Sequence, residues 1–83
     1  MRRQEFENDM EILAPILVDR GYGINYISEV IEPFLWKSFE HAHHIDNMTG
    51  GFIYAHLVKN VGKTVASKIA NSFDDAKRGE SQF

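Results

Sequence analysis

The chain is predicted to be all-α: a compact antiparallel arrangement of three helices, completed by homo-oligomerisation. Three observations carry this. Apolar residues recur at steps of three and four in three successive stretches. Glycine-rich breakers, Gly21-Tyr22-Gly23 and Gly50-Gly51, separate those stretches. None of them sustains the strict alternation of a half-buried strand. Helices are expected over about 4–20, 25–48 and 52–77, with a frayed tail at 78–83, in one helical domain spanning 1–83.

In the first stretch, Phe6, Met10, Leu13, Ile16 and Leu17 form one apolar stripe, and Glu7, Asp9 and Glu11 fall mostly off it. Pro15 lies on the opposite side and is expected to kink or split the helix, because it supplies no amide donor. Gly21 suits a left-handed C-terminal cap.

The second helix is expected to start at an Asn25 N-cap. Ile27, Val30, Ile31, Phe34, Leu35, Ala42 and Ile45 share one side of its helical wheel. Pro33 is read as a first-turn residue of a shorter helix or a kink in a longer one.

The third stretch has the cleanest period. Tyr54, Leu57, Val58, Val61, Val65, Ile69, Phe73 and Ala76 fall on one half of a wheel, held for about six turns. Gly62 and Ala66, small and four apart, permit close approach of another helix. The second and third helices are long for 83 residues, which favours burial against a second copy.

Composition narrows the function classes. The chain has no cysteine, which removes disulfides and thiolate metal sites. No apolar run approaches the ~20 residues of a membrane span. The N-terminus turns acidic where a signal peptide turns apolar, so a cytoplasmic protein is expected. Charge is uneven: residues 1–46 carry four basic and nine acidic side chains, whereas residues 47–73 carry three lysines and no acid.

Four candidate chemistries follow from the residues. The first is a protein interface. Trp36 lies about 180° from Ile27 at ~100° per residue, among Glu32, Glu40 and His43, with Phe39 at the edge. Tryptophan is enriched at binding hot spots. Trp36, Phe39, Glu32, Glu40 and His43 are therefore the expected partner-binding residues, with a second copy or another protein as partner. A Pro33-induced change of phase that folds Trp36 into the core is the competing expectation.

The second is a nucleic-acid face, carried by Lys59, Asn60, Lys63 and Ser67 on the polar side of the third helix. Three lysines and no arginine make a weak electrostatic footprint. The third is a metal site. Glu40, His41 and His44 fall within one turn, and His56 is within reach across the Gly50-Gly51 turn; zinc wants three or four such ligands. A polar helix end, whose late histidines complement the dipole, is the favoured account of the run, and no resident cofactor is expected. The fourth is catalysis. No serine sits in a nucleophile motif, and Gly62-Lys63-Thr64 lacks the earlier glycine of a phosphate loop, so an enzyme is not expected. A small interaction or regulatory protein is the leading expectation.

Overall fold

The structure is a computed structural model and describes residues 2–42 and 44–81. Among these residues every regular element is helical, and no helix is long and apolar enough to cross a membrane. Four helices replace the three expected: α1 (Arg2–Asp19), a composite α2 (24–41), α3 (Gly50–Val61) and α4 (Lys63–Ser81). They fall into two compact units, one ending at Met48 and the other beginning at Thr49.

In the first unit, α1 buries Phe6, Asp9, Met10, Leu13 and Leu17. Pro15 neither splits nor ends it. The bond it forgoes belongs to the carbonyl of Glu11, and both residues are exposed, so water can take the donor's place. The helix closes on Gly21, at φ +94°. Gly21 N–H donates to the Val18 carbonyl at 2.9 Å and Tyr22 N–H to the Leu17 carbonyl at 3.1 Å. That pair of bonds is a Schellman cap, and it satisfies two carbonyls the helix would otherwise leave open.

Helix α2 starts one residue earlier than expected, at Ile24, with Gly23 rather than Asn25 as its N-cap. Its first turn, Ile24–Tyr26, leads into a π-helical turn, Ile27–Ile31, and then into α-helix Glu32–His41. In the π turn the Glu32 N–H reaches back five residues to the Ile27 carbonyl. Pro33 gives the physical reason. In an α-helix its ring would press on the Glu29 carbonyl and offer it no donor. A widened turn ahead of the proline relieves that crowding.

The widened turn resets the helical phase. The buried residues Ile27, Ile31, Leu35 and Phe39 step by four. In a pure α-helix that stripe would drift through about 120°. A π turn takes up about one extra residue and straightens it. Everything after the turn is rotated back by ~100°. Trp36 thereby moves from opposite Ile27 to the edge of the buried stripe. Phe34, expected inside, moves out.

The second helix was expected to run to residue 48 but stops at His41, where Ala42 leaves helical geometry at φ −91°, ψ 76°. Side chains of α1 hold the next residues instead. Arg2 donates to the Ile45 carbonyl at 2.7 Å and also to the Phe39 carbonyl. The Asp9 carboxylate, 5% exposed, accepts the Met48 N–H at 2.9 Å. A buried carboxylate that accepts this backbone amide helps to fix the crossing.

In the second unit, Gly50 and Gly51 open a helix rather than close one. Thr49 is its N-cap, and its hydroxyl accepts the Phe52 N–H at 3.2 Å. The expected single helix over 52–77 breaks at Gly62, whose φ +86° and ψ 162° are open essentially to glycine alone. Around that residue α3 and α4 fold back on one another as an antiparallel hairpin. The Gly50 N–H donates to Asp74 Oδ1 at 2.8 Å, tying the start of α3 to the later part of α4. Phe52, Ile53 and Leu57 from α3 and Ala66, Ile69, Ala70 and Phe73 from α4 are buried.

Gly62→Ala is expected to lower stability by about 1–3 kcal/mol, because the left-handed strain outweighs the gain in helix propensity. The urea midpoint reads it. A rise in the midpoint would mean that the chain prefers one continuous helix to the hairpin.

Candidate functional site

The residues around Trp36 form an aromatic and guanidinium cluster within the first unit. Phe6 of α1 meets Trp36 at 5.1 Å between ring centroids and Phe39 at 5.7 Å. Trp36 and Phe39 lie 6.1 Å apart. Two arginines cover the rings: Arg2 stands 4.3 Å over Phe39, and Arg3 stands 4.7 Å over Trp36. Cation–π contacts of this kind contribute about 0.5–1 kcal/mol each where exposed. Arg3 also pairs with Glu7 at 3.0 Å and with Glu32 at 3.1 Å.

Of the five expected contact residues, the structure brings three into this cluster. Trp36 is half-buried against α1, and Glu32 is half-buried and held by Arg3. Phe39 is fully buried and has no surface to offer a partner in this conformation. Glu40 is exposed at the end of α2. His43 lies outside the described residues.

The apolar surface of α2 that does face outward is a different one. Tyr26, Val30 and Phe34 step by four along the helix, and each is between 44% and 47% exposed. Tyr22 stacks on Tyr26 with ring centroids 6.1 Å apart and extends the patch at one end. At the other end a shallow cavity of about 450 Å³ is lined by Phe34, Lys37, Ser38 and His41. Val30 and Phe34 were expected in the core; the π turn is what puts them outside. Sequence did contain a signal: the strict four-residue spacing of Ile27, Ile31, Leu35 and Phe39 around a proline is too long a period for an undistorted α-helix.

The expected nucleic-acid residues are all exposed but do not lie along one helix. Lys59 and Asn60 are in the last turn of α3, whereas Lys63 and Ser67 begin α4. The reversal at Gly62 divides the polar face that a continuous helix would have kept whole.

The expected metal residues likewise do not lie along one helix. His44 lies beyond the end of α2, so Glu40 and His44 do not share a helical face. His41 is exposed, and its Nδ1 donates to the Lys37 carbonyl at 2.7 Å. His56 is half-buried in the second unit. Its Nδ1 donates to the Phe52 carbonyl at 2.8 Å, and its ring lies 4.3 Å from that of Phe52. Among the described residues no three histidine, aspartate or glutamate side chains converge as a metal would require.

No family model, no curated protein and no solved structure matches the chain.

Proposed function

We propose that this is a small non-enzymatic interaction protein that pairs with a second copy of itself through the outer stripe of α2. One observation carries the reading: Tyr26, Val30 and Phe34 stay exposed on a helix whose other side, through Ile27, Ile31, Leu35 and Phe39, is already buried. A helix apolar on two sides is normally covered on both. Scattered apolar residues need no partner, but an aligned row does.

The charges beside the row favour a second copy. Glu29 lies three residues after Tyr26, and Lys37 three residues after Phe34. Each helix thus has an acidic and a basic end along this face. Two copies related by a two-fold axis perpendicular to α2 run antiparallel, which sets the acidic end of one against the basic end of the other. The earlier expectation of a dimer through α2 is kept, with the contact moved from Trp36 to Tyr26, Val30 and Phe34.

Sedimentation equilibrium tests this. A mass of twice 9.5 kDa is expected for the wild-type chain, and a single 9.5 kDa species for Val30→Glu with unchanged helical circular dichroism. The reading fails if the wild-type chain stays monomeric up to roughly 1 mM, where association would contribute less than about 4 kcal/mol. It also fails if Val30→Glu dimerises as the wild type does.

A further inference from the structure

A second surface of the first unit, on the other side of α2, has a different chemistry. α1 and α2 enclose an open groove of about 440 Å³. Its floor is apolar, formed by Met10, Ala14 and Ile27. One end is walled by Val18 and by Ile24, and Ile24 is 73% exposed, the most of the large apolar residues described. The walls carry carboxylates from both helices, Glu7 and Glu11 on α1 and Glu32 on α2, and no basic residue lines the groove.

Arg3 bridges Glu7 and Glu32 at the rim but leaves Glu11 without it. One guanidinium against three carboxylates keeps the groove acidic. Exposed pairs of this kind contribute at most about 1 kcal/mol, so they yield readily to a competing cation. The surrounding unit reinforces the field, with four basic and nine acidic side chains over residues 1–46.

We infer that this groove docks an amphipathic helix from another protein, with apolar anchors on one face and lysine or arginine on both flanks. Length supports a helix. From Glu7 to Val18 the groove follows α1 for about 16 Å, and anchors at i, i+4 and i+7 span about 10 Å. Charge complementarity supports basic flanks, because carboxylates stand on both walls. A second copy does not fit this description. Among the described residues the exposed large apolar side chains all lie between Val18 and Phe34, so α3 and α4 have none to insert. The outer stripe of α2 carries one base, Lys37, at one end and Glu29 at the other, so it cannot set bases against both acidic walls.

Two synthetic peptides of about 18 residues, long enough to hold helix on binding, test the inference. Both place leucine at i, i+4, i+7 and i+11; one has lysine flanks and the other glutamate flanks. Fluorescence anisotropy of the labelled peptides is followed against the full chain at low salt. The lysine peptide is expected to bind on the order of tenfold tighter than the glutamate peptide. Ile24→Asp and Glu11→Lys are each expected to weaken it by about tenfold. Both positions are exposed, so helical circular dichroism should stay unchanged. Val30→Glu is expected to leave peptide binding as it is, which separates the groove from the dimer stripe. The inference is overturned if the lysine peptide does not bind, if the two peptides bind alike, or if Ile24→Asp leaves binding intact. A wild-type dimer broken by Ile24→Asp but not by Val30→Glu would assign the groove to a second copy, and that too overturns it.

Discussion

Replacing Phe39 with alanine is expected to destabilise the first unit by about 3–5 kcal/mol, the usual cost of deleting a buried phenylalanine side chain. The ring is fully buried and packs on Phe6 and Trp36. It is also the platform for the Arg2 guanidinium, which holds the Ile45 carbonyl where the chain leaves α2. Loss of the ring therefore removes dispersion contacts, opens a cavity and loosens Arg2 in one step. Against a total stability of about 5–15 kcal/mol, this is a large fraction. A fall in melting temperature of roughly 15–30 °C is expected for a domain of this size. Phe39→Leu, which keeps most of the volume, should cost under about 1.5 kcal/mol. If Phe39 were instead a contact residue for a partner, Phe39→Ala would leave the free chain's melting unchanged. A loss below about 1 kcal/mol would refute the buried role.

The physical difference between these two roles is one turn of helix. Read with an ideal period, Ile27 and Trp36 lie on opposite sides, and Trp36 becomes an outward residue. The structure has the change of phase of the competing expectation but leaves Trp36 half-buried at the edge of the core. The change comes as a π turn ahead of the proline and not as a bend at it. Periodicity at fixed pitch cannot register such a turn, because each residue beyond it is displaced by the same angle. That single displacement explains why Trp36 and Phe39 were assigned to a surface and Val30 and Phe34 to the core.

α1 was legible for the opposite reason. Its stripe keeps the ideal pitch through Pro15, and Gly21 caps it as its position implies. The ends of α2 and of the hairpin depend on partners distant in sequence. Arg2 and Asp9 hold residues 45 and 48 from about forty positions away, and no local pattern near His41 announces that. At Gly62 the local pattern misleads. The apolar period continues through it in phase, yet the backbone uses that glycine to reverse. The grouping of the lysines and of the histidines rests on helical spacing that the chain does not keep. Composition proved more durable, because the acidic excess of residues 1–46 is a property of the unit whatever its helical phase.

The hairpin provides the second large expected effect, from a methyl group. Gly50→Ala should destabilise the second unit by about 2–4 kcal/mol. A Cβ at Gly50 would lie 2.2 Å from Asp74 Oδ2, 2.7 Å from its Cγ and 2.8 Å from the Ala70 carbonyl oxygen. Asp74 can rotate away, but it then gives up the bond from the Gly50 N–H and its place at the positive end of α3. The Ala70 oxygen is backbone and cannot rotate, so α3 must lift off α4. Gains in helix propensity reach at most about 1 kcal/mol and do not offset this. Gly51→Ala is the matched control. Its Cβ would meet only the Thr49 hydroxyl at 3.7 Å, ordinary contact, so it should be neutral or stabilise by up to about 1 kcal/mol. Urea unfolding of both variants decides the matter, and equal midpoints would refute close packing at Gly50. Adding Asp74→Ala separates the two clashes. If the carboxylate were the whole obstacle, Gly50→Ala would cost nothing further in that background. If the Ala70 carbonyl sets the limit, as its fixed position implies, about half or more of the penalty should remain.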